Sequence, residues 1–164
     1  MIKVLASFIH LALFTIVALG VAATTVHADT TEPEIGQYAD VGDIRMYYES
    51  RGEGVPLMVL NGGFQTAEDY QFLIPHLADG FRLILIDHRG RGRSNDGKGP
   101  MTYNRIAHDV VLLLDQLQIG SAHFVGHSEG GAVALELLIN YSDRVRTATL
   151  IGTPLTVSEA DKKW

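Results

Sequence analysis

The chain has 164 residues, 46% of them hydrophobic and 20% charged, a balance that fits one globular domain and excludes disordered and fibrous classes. A formal net charge of −6 argues against a nucleic-acid partner, and the basic cluster Arg89, Arg91 and Arg93 alternates with glycine, as a short loop does. The absence of cysteine removes disulfides, thiolate nucleophiles and cysteine metal sites together.

Met1 to Ala28 reads as an export signal rather than as fold. Lys3 gives a positive start, Val4 to Ala23 is apolar except for Ser7, His10 and Thr15, and Val26-His27-Ala28 fits a small-x-small cleavage site. Cleavage before Asp29 is expected, leaving the mature chain periplasmic or secreted and free of the membrane. The alternative is an uncleaved anchor, since about 20 apolar residues span a bilayer. Residues 29–36 carry Thr, Glu and Pro and read as a short leader or linker.

From Gln37 short apolar runs alternate with glycine-bearing turns. Tyr38 to Val41 and Ile44 to Glu49 flank Gly42-Asp43 and predict a hairpin. Leu57 to Leu60 predicts a buried strand ended by Asn61-Gly62-Gly63, and Ala67 to Ala78 a helix whose last turn Pro75 disturbs. Phe81 to Ile86 is the next strand, closed by Asp87 and a glycine-rich loop to Pro100. Thr102 caps a helix whose Ile106, Val110, Leu113, Leu114 and Leu117 share one face, with Gly120 ending it. Ala122 to Gly126 predicts a strand, Gly130 to Tyr141 a helix, and Val145 to Ile151 one more strand. Strands apolar throughout, alternating with helices, predict a three-layer α/β/α sandwich around a mostly parallel sheet.

Between the last strand–helix pair stands Gly126-His127-Ser128-Glu129-Gly130, a G-x-S-x-G arrangement. A serine hydroxyl needs a base to take its proton and donors to hold the oxyanion that forms. A sharp strand-to-helix turn lifts the side chain above the sheet, and small residues at Gly126, Gly130 and Gly131 avoid clashes there. Ser128 is therefore the candidate nucleophile. His127 adjoins it, but neighbouring side chains on an extended segment point apart, so His127 is expected to pack or to support. The N–H of Glu129 is the expected oxyanion donor; its carboxylate either is solvated or lines the pocket.

With Asn61-Gly62-Gly63-Phe64, Asp87-His88-Arg89-Gly90-Arg91-Gly92-Arg93-Ser94 and Val125-Gly126-His127-Ser128-Glu129-Gly130-Gly131 in this order, the chain resembles the α/β-hydrolase superfamily from about Gln37 to Pro154. That resemblance implies oxyanion donors at Gly63 and Glu129, with Asn61 where the family usually has histidine. It places Phe64 in the acyl pocket, with a core role as the alternative, and makes Asp87 to Ser94 a structural turn tied down by its arginine and aspartate. A serine nucleophile sets the chain apart from the resembling haloalkane dehalogenases. The implied partner is a small-molecule ester or related acyl substrate, with no cofactor, no metal and no nucleic acid. Esterase, lipase, perhydrolase and lyase chemistry are not distinguished.

In that family the triad acid follows the sixth or seventh strand and the histidine the eighth. No histidine follows Ser128. His76, His88, His108 and His123 read as scaffold histidines, and Glu159 and Asp161 as a solvated tail. The expectation is that residues 37–164 form the amino-terminal part of a hydrolase domain, lacking its last strands and helix and nearly inactive alone. The alternative is a non-enzymatic interaction module whose open sheet edge pairs with another polypeptide.

Overall fold

The computed structural model describes residues 36–153; the expected export signal, most of the expected leader or linker and residues 154–164, with Glu159 and Asp161, lie outside the described residues. Six strands, β1 (Gln37–Val41), β2 (Ile44–Arg51), β3 (Val55–Leu60), β4 (Phe81–Ile86), β5 (Ala122–His127) and β6 (Val145–Ile151), form one sheet in the order β1-β2-β4-β3-β5-β6. β2 pairs antiparallel with both β1 and β4, and β4, β3, β5 and β6 run parallel to one another. The hairpin turns at Gly42, whose φ of +59° suits a residue without a β-carbon.

Successive strand residues face opposite sides of the sheet. Met58, Leu60, Ile84 and Ile86 pack with Phe124 against α2 (Tyr103–Gln116) and α3 (Glu129–Asn140), through Ile106, Val110, Leu113, Leu114, Val133 and Leu137. Leu57, Val59, Leu83 and Leu85 face the other way, onto Ala67 and Tyr70 of a 3-10 turn and onto Ile74 and Leu77 of α1 (Ile74–Leu77). Burial on both faces explains why these strands are continuous apolar runs rather than alternating ones. Each such side chain withdrawn from water contributes roughly 1.5–3 kcal/mol. β6 differs: it is an edge strand among the described residues, and Ile151 is 50% exposed.

Two local expectations need correction. The helix expected over Ala67 to Ala78 is a 3-10 segment, Ala67–Leu73, followed by the single turn of α1. Pro75 sits in the first turn of α1, where a missing N–H has no acceptor to lose. At the start of the 3-10 segment, the Thr66 N–H donates to Asp69 Oδ2 at 2.8 Å. The second correction concerns α2. Thr102 caps it as expected, accepting from the Arg105 N–H, but the left-handed residue at its end is Gln118, φ +56°, not Gly120. The Ile119 N–H closes this end on Leu114 O at 2.8 Å, and Gly120 has open space around it. β5 also runs one residue further than expected, to His127, and α3 begins one residue earlier, at Glu129.

Candidate active site

Ser128 is the single residue between β5 and α3, with φ +51° and ψ −111°. A non-glycine residue held there costs on the order of 1–3 kcal/mol and persists only where its surroundings enforce it. Here both neighbours do: the Ser128 N–H donates to Ile151 O at 2.8 Å, and Ser128 O accepts from the Gly131 N–H at 3.0 Å. The glycines permit the crossing. A β-carbon on Gly130 would overlap Leu60 O, and one on Gly126 would overlap Gly130 O. Helix and strand therefore approach closely enough to bring the serine to the end of β3.

The Asn61–Gly63 turn lies at that end, because Leu60 pairs in register with Gly126. An added β-carbon at Gly62 would lie 3.1 Å from His127 Nδ1, and one at Gly63 3.2 Å from Glu129 Oε2. The structure thus brings together Gly63, Ser128 and Glu129. As the first residue of α3, Glu129 carries an N–H with no intrahelical acceptor.

Neighbouring side chains hold the turn. Buried Asn61 donates through Nδ2 to Gln65 O at 2.6 Å, so the residue in the family's histidine position clasps the loop directly. The Gly62 N–H donates to Gln65 Oε1 at 3.2 Å and to Tyr70 Oη at 3.3 Å. Tyr70 in turn donates to Gln65 Oε1 at 2.7 Å. His127 Nδ1 lies 2.9 Å from Gln65 Oε1 and 3.0 Å from Tyr70 Oη. His127 therefore supports the turn, as its direction on the strand implied. Burial raises the Tyr70 pKa and keeps the phenol protonated as a donor. No sequence signal marks Gln65 or Tyr70, since their partner His127 is 57 residues from Tyr70.

Residues 55–164 match the family described as the alpha/beta hydrolase fold. The chain belongs to that family. It is 35% identical over 134 residues to a 2-hydroxymuconate semialdehyde hydrolase of Pseudomonas sp. (strain CF600), covering 78% of this chain and 47% of that protein. Among solved structures it is similar to Est816, described as an N-acyl homoserine lactone degrading enzyme, with 32% identity and a TM-score of 0.68 over 71% of this chain and 45% of that one. A thermophilic esterase from Thermogutta terrifontis gives 27% identity and a TM-score of 0.71 over 74% and 47%. The chain spans about half the length of these relatives.

In this alpha/beta hydrolase the loop after β4 is an anchor. Arg89, 2% exposed, binds Asp109 of α2 through Nε at 2.6 Å and Nη2 at 2.7 Å, and reaches Asp43 at 3.1 Å. Asp87, fully buried, accepts from the Ala67 N–H at 2.7 Å and from Arg93 at 2.8 and 3.0 Å. Ser94 Oγ donates to Asp87 O at 2.7 Å and accepts from the Tyr47 N–H at 2.9 Å. The Lys98 N–H, with Arg89 and Arg105, holds the Asp43 pKa down at about 2, while burial raises that of Asp109 against the pull of Arg89.

Arg91 departs from this anchoring role. Its Nη2 lies 3.7 Å from Glu129 Oε2, and its guanidinium carbon 5.3 Å from the centre of the Phe64 ring. The Glu129 carboxylate is thus neither freely solvated nor remote; burial raises its pKa and Arg91 opposes the rise. Phe64 has no core role: it is 88% exposed, with φ +66°.

Among the described residues no imidazole hydrogen-bonds Ser128. His108 Nδ1 pairs with Tyr141 Oη at 3.2 Å, His123 Nδ1 with Thr147 Oγ1 at 2.7 Å, and His76 is exposed on α1. His88 is buried, with no hydrogen-bond partner for either ring nitrogen among the described residues. Burial, with help from Arg91, pushes its pKa down to about 4.

Proposed function

We propose that this chain supplies the nucleophile and both oxyanion donors of an exported serine hydrolase that cleaves small-molecule esters. The observation that carries the reading is Ser128, held at φ +51° between β5 and α3 and beside the Gly62–Gly63 turn. Ser128 Oγ attacks the ester carbonyl carbon while its proton passes to a base. The carbonyl oxygen takes up the negative charge, facing the N–H groups of Gly63 and Glu129. Collapse breaks the carbon–oxygen bond to the alcohol, which leaves with the proton and an acyl group on Ser128; water then releases the acid. The relatives' printed names, a semialdehyde hydrolase, a lactone-degrading enzyme and an esterase, support a small acyl substrate. No described histidine is bonded to Ser128, so the base comes from elsewhere, and the 164-residue chain alone turns over little or no substrate. Export rests on Met1 to Ala28, and amino-terminal sequencing of the periplasmic or secreted protein is expected to begin at Asp29.

A neutral fluorophosphonate probe tests the core of this reading on the complete gene product. Labelling that disappears in Ser128→Ala is the expected result, and labelling unchanged by that substitution refutes it. A second reading is favoured by the partly exposed β6: the chain is an interaction module that binds a polypeptide along this edge. Co-purification of a defined partner with the mature chain, without serine labelling, would support that reading instead.

A further inference from the structure

The Glu129 side chain is left unused by the chemistry above. Its backbone N–H is one oxyanion donor, yet its carboxylate lies beside Gly63, the residue that carries the other, since a β-carbon there would sit 3.2 Å from Oε2. An ionised carboxylate there opposes the charge that the Gly63 N–H is placed to receive, and the poorly solvated surroundings strengthen that opposition. The counter-charge comes from a third element. Arg91 Nη2 is 3.7 Å away, and the two side chains are only 23% and 17% exposed, so salt screens the pair less than it would a surface pair. Arg91 is also spare as an anchor, because Arg89, Arg93, Asp87 and Ser94 tie the loop without it.

We propose that Arg91 is a positioning residue whose charge neutralises Glu129 beside the oxyanion turn, so that the turn accepts a developing oxyanion. This rests on the nucleophile reading of Ser128. Among the described residues Arg91 is the charged group that acts on Glu129, and the adjoining Gly63 carries no charge. Without Arg91, Glu129 titrates at higher pH, and Ser128 reacts slowly wherever that carboxyl is ionised.

The test compares labelling rates with a neutral fluorophosphonate from pH 5 to 8 on the complete gene product, each variant taken as a ratio to the unsubstituted protein. Arg91→Met is expected to be on the order of tenfold slower at pH 8, short of the roughly 100-fold loss of an oxyanion donor, with the gap closing toward pH 5. Arg91→Lys keeps the charge and stays near the unsubstituted rate, and Glu129→Gln added to Arg91→Met restores the rate. A gap that is the same at every pH, or Arg91→Lys as slow as Arg91→Met, reduces Arg91 to packing on Phe64 and overturns the proposal. The amide resonance of Gly63 gives a readout that does not need a reactive serine. It is expected to follow the Glu129 titration, with a higher midpoint in Arg91→Met, and a flat resonance overturns the proposal. If the protein does not label while the resonance titrates, the nucleophile reading fails and the coupling of Arg91, Glu129 and Gly63 is upheld.

Discussion

Two turns at the same end of the sheet are held by opposite kinds of chemistry. After β3, Asn61, Gln65, Tyr70 and His127 fasten the Gly62–Gly63 turn with hydrogen bonds among amide, phenol and imidazole groups. After β4, the Asp87 to Ser94 loop is fastened by the Arg89–Asp109 and Arg93–Asp87 ion pairs. Fixed charge is an effective anchor where nothing reacts. Beside a turn placed to receive developing charge, the same ions would set up a field of their own, and uncharged donors avoid it. Among the described residues Glu129 is the carboxylate that lies beside Gly63, and it comes with Arg91.

The difference predicts separable failures. Arg89→Met strands the buried Asp109 carboxylate and is expected to cost about 3–5 kcal/mol of stability. The loss is read from the urea midpoint, with Ser128 labelling of the folded fraction retained; equal losses in both readouts would erase the distinction between the turns.

His88, the uncharged member of the charged loop, gives the next largest effect. Its pKa is pushed down to about 4 in the folded protein, against 6.5 when exposed. Between those values the unfolded chain binds a proton that the folded one does not, so stability falls as pH drops from about 6.5 towards 4, by about 3 kcal/mol. Urea midpoints across that range are expected to slope less in His88→Gln, and an unchanged slope refutes the assignment.

Tyr70→Phe removes one donor from the neutral cluster and is expected to cost about 1–2 kcal/mol. Its larger consequence is slower Ser128 labelling through a loosened Gly62–Gly63 turn, the reverse of the Arg89→Met result. Smallest is Ser128→Gly, which relieves the positive φ and is expected to raise stability by about 1 kcal/mol while abolishing labelling. A fall in stability instead would mean that the serine side chain, not the crossing of β5 and α3, sustains the conformation.

Much of the fold was legible because it is periodic or punctuated. Phe81–Ile86 and Val145–Ile151 have the limits their apolar runs implied, and Thr102 caps α2 as its position suggests. The elbow was legible for a different reason: glycine at 126, 130 and 131 is what a close crossing of strand and helix requires, and the requirement is local. Gln118 shows where local reasoning failed, since it takes the left-handed position although Gly120 stands two residues on. The helix ends where Ile119 reaches Leu114 and enters the core, and that packing, not the glycine, sets the position.

By itself the sequence determined the order of the strands, the family and the turn that carries the candidate serine, because each depends on residues within a few positions of one another. Only the tertiary structure could show that Gln65 and Tyr70 grip His127 across the sheet, or that Arg91 leaves its neighbours Arg89 and Arg93 to face Glu129. Those contacts span dozens of residues and form when β3 pairs in register with both β4 and β5, and a linear pattern carries no record of which polar side chains that pairing brings within reach of one another.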